Sequence, residues 1–285
     1  MPIAMTVGSI FYSFFGSLAF LTPYLIFGML LLTYCKLDLG KIKLSPLHFW
    51  LILIQIVGSL ASYVLIKTYN ATLAQAILIC ILAPTATAAP VITGMLKGNV
   101  ASLTAYSLLS NITVALLAPL IFSIIGSYQD LAFLDSFIAI AQKVFLLLLG
   151  PFALALFLQR LMPKFSNTLG GYSSFSFYLW TASLTIVTGK TITFITLQNE
   201  GSYSTEILIA VSALIICITQ FLLGRKIGRR YEDTVAGGQG LGQKNTILAI
   251  WMAQTYLNPI SSIGPGAYVL WQNLFNSYQI WKDRK

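Results

Sequence analysis

Acidic side chains are few in this chain, and none falls in the middle of an apolar stretch. Asp38, Asp130, Asp135, Glu200, Glu206, Glu232, Asp233 and Asp283 all lie in polar loops or at the ends of apolar segments. That placement excludes a proton relay or hard-metal site built on carboxylates inside a bilayer. Histidine occurs once, as His48 at the start of an apolar segment, where it reads as an interfacial residue. One peripheral histidine and no central carboxylate leave an intramembrane enzyme without a nucleophile–base pair or metal ligands. No catalytic residue, no metal site and no enzymatic activity are therefore expected. Cys35, Cys80 and Cys217 stand singly within or beside apolar segments, which fits buried small hydrophobes better than a disulfide framework or a metal site. A basic leader before the first apolar segment is also missing, so a cleavable signal peptide is not expected.

Charge as a whole is low. Only 9% of residues are charged and 57% are hydrophobic, where a soluble domain carries roughly a quarter charged. Nine apolar segments follow one another, at about 7–34, 47–66, 72–96, 99–126, 136–159, 172–197, 204–224, 234–257 and 262–281. The expectation is an all-α polytopic membrane protein, a single integral membrane domain over 1–285 with nine transmembrane helices in the lipid bilayer.

The net charge of +9 does not point to nucleic acid, because the basic residues sit in short loops between apolar segments. Lys36, Lys41, Lys43, Lys97, Arg160, Lys164, Arg225, Lys226, Arg229, Arg230, Lys282, Arg284 and Lys285 all follow odd-numbered segments. Loops of the other parity hold Lys67 with Asp130, Asp135 and Glu200. The positive-inside rule then sets the N-terminus outside and the C-terminus inside, in the cell's inner (cytoplasmic) membrane. Trp50, Trp180, Tyr63, Tyr69, Tyr128 and Trp281 fall near segment ends, at headgroup depth.

Two segments have broken interiors. "ILAPTATAAPVITG" (81–94) carries Pro84 and Pro90, through which an unbroken helix does not run comfortably. "TVAGGQGLGQKNTILAIWMAQ" (234–254) packs four glycines beside Gln239, Gln243, Lys244 and Asn245. Non-helical backbone at membrane depth must lie in protein or line a wet cavity. Each broken segment is followed by one helix before its half ends, so 1–126 and 172–285 read as inverted repeats, with 136–159 as an unpaired helix. Pro84 and Pro90 would open a centre faced by Thr85, Thr87 and Thr93, where half-helix N-termini suit an anionic headgroup.

At these residues the sequence resembles the bile acid:sodium symporter family. The likeness is carried by "APTATAAPVITGMLKGNVASLTAYS" (83–107), "GQKNTILA" (242–249) and "GPGAYVLWQNLFNS" (264–277). The resemblance implies an inverted-repeat transporter fold with two crossed discontinuous helices and core plus panel domains. Segments two, three, four, seven, eight and nine would form the core, and one, five and six the panel. It also implies alternating-access transport of a small organic anion, bile-acid-like or a small carboxylate.

Against the family's sodium ligands, Gly240 stands at a Glu position and Lys244 at a Gln position. Ala89 and Pro90 stand at a Ser-Asn pair, and Leu103 and Ser107 at two hydroxyl positions. Gln55 matches a glutamine ligand once a gap is allowed. A family site with one Glu and two sodium ions carries one net positive charge; replacing the Glu by Gly240 and adding Lys244 gives the same charge with no ion bound. An unpaired ammonium in a span costs from about 2.5 kcal/mol, which marks Lys244 as functional.

The expected substrate and coupling site is Lys244, Asn245, Gln243, Thr85, Thr87, Thr93, Ser107, Asn111, Gln55 and Asn273, with no cofactor. Two versions stay open: a sodium-independent facilitator with a permanent ammonium, and proton coupling in which Lys244 gives up its proton for part of the cycle. Against both stands a structural role for Lys244, tying down carbonyls of the crossed helices. Lys143 and Lys190 read as snorkelling residues, with a cavity-facing pair as the alternative. A membrane sensor or receptor on the same fold and a conventional sodium-coupled symporter are the competing functions. No pattern sets an oligomeric state.

Overall fold

The computed structural model describes residues 2–37, 40, 42–126, 132–197 and 203–283. Asp38, Lys41, Tyr128, Asp130, Glu200, Arg284 and Lys285, used above for charge and interfacial placement, lie outside the described residues. In chain order the helices are α1 (Pro2–Ile10), α2 (Tyr12–Ser17), α3 (Thr22–Cys35), α4 (Pro46–Ile66), α5 (Ala71–Leu82), α6 (Ala89–Met95) and α7 (Val100–Ile125). There follow α8 (Phe133–Leu148), α9 (Gly150–Leu161), α10 (Pro163–Gly171), α11 (Ser176–Thr196) and α12 (Ser204–Arg229). The last are α13 (Thr234–Gly242), α14 (Thr246–Tyr256) and α15 (Ile263–Asp283). Among the described residues there is no strand, and the chain is an all-α membrane protein.

Local sequence accounts for several helix starts. Proline occupies the first turn of α3, α4, α6, α9 and α10, where its missing N–H leaves nothing unpaired. Ser45 and His48 form a reciprocal capping box on α4, and Asn70 caps α5 by accepting the Leu73 N–H at 2.9 Å. Two helices end in a left-handed residue other than glycine, Lys97 (φ 55°) after α6 and Glu232 (φ 57°) after α12. In each case the next amide reaches back five residues, Gly98 N to Thr93 O at 2.8 Å and Asp233 N to Gly228 O at 2.9 Å.

Among the described residues, five helical stretches are long and apolar enough to cross a membrane: Tyr12–Cys35, Pro46–Ile66, Val100–Ile125, Phe133–Leu161 and Ser204–Arg229. The other expected segments differ for stated reasons. Segments 72–96 and 234–257 are each cut into two shorter helices, α5 with α6 and α13 with α14. Helices α11 and α15 have 21 residues each but dilute their apolar content, α11 with Lys190 and a series of threonines, α15 with Gln272, Asn273, Asn276 and Gln279.

The chain divides into two compact units. The first comprises Met1–Leu39, Ala115–Glu200 and Gln254–Pro259, the second Gly40–Val114, Gly201–Ala253 and Ile260–Lys285. Segments one, five and six thus fall in the first unit, and two, three, seven and nine in the second. Segments four and eight are shared, α7 changing unit at Ala115 and α14 at Gln254.

Within the first unit, α1 and α2 pack on α11 through small residues. A Cβ on Gly8 would strike the Thr185 carbonyl, and one on Gly16 would sit 2.7 Å from Thr193 Oγ1. The Gln159 carboxamide caps the end of α3, donating to the carbonyls of Tyr34 and Leu37 at 3.1 and 3.0 Å. Within the second unit, α12 and α13 touch backbone to backbone, because Gly224 and Gly237 each leave room for the other's carbonyl oxygen.

Candidate functional site

The site lies in the second unit, where the two broken segments meet. Pro84 disfavours helical backbone at Ala83, which turns extended (φ −48°, ψ 138°), and α5 stops at Leu82. The chain then runs non-helically until Ala89 and Pro90 start α6. On the other side α13 ends at Gly242, Gln243 is extended (φ −97°, ψ 99°), and α14 begins at Thr246. The two unwound stretches pair with each other. Thr85 and Lys244 form an antiparallel bridge, flanked by Ala86 N to Gln243 O at 2.9 Å and Asn245 N to Pro84 O at 2.8 Å. Backbone groups freed by the breaks are thus satisfied inside protein, as the interior of a membrane protein requires.

A helix end leaves its last four carbonyls without intrahelical partners. At the end of α5 those are Cys80, Ile81, Leu82 and Ala83, and all four are taken by side chains. Gln220 Nε2 donates to Cys80 O at 3.3 Å, and Lys244 Nζ donates to Ile81 O at 2.8 Å. Gln55 Nε2 donates to Leu82 O at 2.6 Å and Ala83 O at 3.1 Å. The other end of the Gln55 carboxamide accepts from the Tyr106 hydroxyl at 2.8 Å and the Ser110 hydroxyl at 2.9 Å, so the group is fully used. The carbonyls of α13 are treated alike: Thr85 Oγ1 donates to Gly240 O at 3.0 Å, and Tyr268 Oη to Gly242 O at 2.9 Å.

Electrostatics set Lys244 apart. Its side chain is 1% exposed, and its ammonium points at the negative end of the α5 dipole. Among the described residues no carboxylate pairs with it; the ion pair present, Lys97 with Asp283 at 3.4 Å, is exposed. Gly240 is glycine by necessity of space, since a Cβ there would lie 2.8 Å from Tyr106 Cδ1 and 3.3 Å from Leu51 Cδ1.

Of the ten residues expected at the site, five meet here. Lys244, Thr85 and Gln55 contribute side chains. Asn245 contributes its backbone and caps α14, its Oδ1 accepting from Leu248 N at 3.3 Å. Gln243 contributes its backbone, while its buried Oε1 has no hydrogen-bond partner.

The other five are not among the groups that fasten the breaks. Thr87 is half-buried in the unwound stretch. Thr93 lies further along α6 beside Gly98, its buried hydroxyl without a partner. Asn111 donates to the Ser107 carbonyl on its own helix at 2.8 Å, and Asn273 to Val269 O on its own helix at 2.6 Å.

Sequence reasoning missed the residues that do fasten them. Tyr268, Gln272 and Asn276 stand at four-residue intervals on α15, one face of a helix. Gln272 exchanges two hydrogen bonds with the Lys244 backbone, and Asn276 Oδ1 accepts from Gln239 Nε2 at 2.9 Å. That stripe was the readable signal, one residue away from Asn273. Gln220, Tyr106 and Ser110 carried none.

Three further expectations have a place. Lys143 is exposed on α8, and the Lys190 ammonium stands 4.8 Å from the centre of the Phe194 ring; both belong to the first unit. His48 is buried, at a cleft of about 380 Å³ lined by Lys43, Asn99, Ser102 and Asp233 among others. Its Nε2 is 3.0 Å from Ser102 Oγ, but Nδ1 accepts the Ser45 N–H, which assigns the ring proton to Nε2. In that tautomer the ring donates to the serine and is no base toward it. Among the described residues no group of three or more His, Cys, Asp or Glu is placed to hold a metal ion. In comparison with known proteins, no family model matches the chain and no curated protein matches it.

Proposed function

We propose that this protein is a secondary transporter of a small organic anion, working by alternating access without sodium, with the Lys244 ammonium in the place of bound metal ions. The carrying observation is the contact of Lys244 Nζ with Ile81 O, 2.8 Å, at a helix end whose remaining carbonyls are already filled by Gln55 and Gln220. A cation entering there would find its oxygen ligands occupied and a fixed positive charge beside it. The same charge, with no described carboxylate against it, favours an anion as cargo.

Two further features support an inverted-repeat transporter similar to the bile acid:sodium symporters. Each expected repeat contains a Gln on its second helix bonded to a Tyr on its fourth: Gln55 with Tyr106, 51 residues apart at 2.8 Å, and Gln220 with Tyr268, 48 residues apart at 3.0 Å. The expected panel segments one, five and six fall in one unit and the expected core segments two, three, seven and nine in the other, while four and eight are divided between the two. The orientation, N-terminus outside and C-terminus inside the cytoplasmic membrane, rests on loop charge.

Counterflow of a panel of labelled organic anions in proteoliposomes, with and without sodium and across pH, tests the reading. Uptake that ignores sodium and is lost in Lys244→Gln supports it; a pH dependence that disappears with the lysine selects the proton-coupled version. Survival of both uptake and pH dependence in Lys244→Gln refutes it.

A further inference from the structure

We infer that Gln272 is the positioning residue of this site, the group that aims the Lys244 side chain, a role that rests on Lys244 being the site's fixed charge. Lysine has a long flexible stem and gains a fixed position only if its backbone is held. At the break the helix side holds only the Lys244 carbonyl, which accepts the Thr246 N–H at 2.9 Å, and leaves the Lys244 N–H free. The bridge to Thr85 does not hold that N–H either, because its two flanking hydrogen bonds use Gln243 O and Asn245 N. In antiparallel pairing the residue between such bonds turns its own N–H and C=O to the opposite side.

On that side stands Gln272. Its Oε1 accepts the Lys244 N–H at 2.9 Å, and its Nε2 donates to Lys244 O at 3.3 Å. A carboxamide donates and accepts at once, so one side chain does for residue 244 what a neighbouring strand would do. Its neighbours on the same face of α15 fasten the α13 end that leads into residue 244, Tyr268 at Gly242 O and Asn276 at Gln239. With the backbone of residue 244 held in this way, the ammonium falls on Ile81 O. Gln272 is itself 5% exposed, so water does not replace it when it is removed.

Replacement side chains grade the effect. Leu fills similar space with no polar atom, whereas Glu keeps the acceptor for the amide and loses the donor for the carbonyl. The test is acylation of lysines in the full-length protein in lipid nanodiscs, using a membrane-permeant reagent and mass spectrometry to read each lysine's rate. In the wild type Lys244 should react far more slowly than the exposed Lys97 and Lys164. Gln272→Leu should raise the Lys244 rate about tenfold, as expected for loss of two hydrogen bonds, with Lys97 and Lys164 unchanged. Gln272→Glu should give a smaller rise.

A Lys244 rate within about twofold of wild type in Gln272→Leu overturns the inference, as does a rise shared by every lysine, which signals general loosening. Should the Leu variant fail to fold, Gln272→Glu decides by the same criterion. Counterflow on the same samples keeps the two claims apart. Faster Lys244 labelling with unchanged transport retains the positioning role and refutes the fixed-charge transport reading. Unchanged labelling with lost transport refutes the positioning role and leaves that reading standing.

Discussion

Replacing Lys244 by Met separates a functional from a structural role, because the two give different outcomes for stability. The side chain is 1% exposed, and its ammonium has one described hydrogen bond, to Ile81 O at 2.8 Å. Losing a hydrogen bond to a charged group costs about 1.5–3 kcal/mol and leaves a helix-end carbonyl uncapped. Met, however, has nearly the same length and no charge, and removes a buried ammonium whose cost inside a membrane begins at about 2.5 kcal/mol. Among the described residues no carboxylate offsets that cost. The two terms cancel to within about 1 kcal/mol, equivalent to about 2 °C in Tm for a chain of this size. Lys244→Met should therefore unfold close to the wild-type temperature and transport no anion. Tryptophan fluorescence on heating, with counterflow on the same preparation, measures both. A fall of more than about 6 °C, or roughly 3 kcal/mol, would show that the lysine is a peg between helices and refute the reasoning.

Gln55→Leu removes four buried hydrogen bonds, to Leu82 O, Ala83 O, Tyr106 Oη and Ser110 Oγ. At about 0.6 kcal/mol per hydrogen bond in a membrane protein the loss is at least roughly 2.5 kcal/mol, to be read from thermal or denaturant unfolding. Gly240→Ala forces its Cβ against Tyr106, where a real Cβ does not come to 2.8 Å, and should cost about 1–3 kcal/mol. Tyr106→Leu in the same chain should recover part of that loss, seen as a favourable coupling in a double-mutant cycle; additive losses would mean that Tyr106 is not the obstacle.

Much of the architecture was legible because its signals are local. Pro84 and Pro90 dictated the first break, and the glycines of 237–242 allowed the second to approach α12 closely. Scarce charge and long apolar runs gave the all-α membrane class. The site was legible in part. Lys244, Gln55 and Thr85 stand out as polar groups in apolar surroundings, but their partners are carbonyls, which every residue has and no sequence distinguishes. Asn273 reads as a polar group on a core helix, but the four-residue stripe of Tyr268, Gln272 and Asn276 is the face that meets the break. Asn111 was favoured as a polar residue inside a span; its amide bonds its own helix, a solution open to any Asn with a carbonyl four residues back. Position alone places His48 at a segment start; its partner Ser102, 54 residues on, carries no signal in the sequence.

The most direct test of the central claim is a sodium titration of organic-anion counterflow in proteoliposomes containing the wild-type protein or Lys244→Gln. A fixed internal cation predicts a wild-type rate that is the same in sodium-free medium as at high sodium, and a variant whose rate falls to that of empty vesicles. A wild-type rate that climbs with sodium and saturates, or a variant that transports as fast as the wild type, would contradict it.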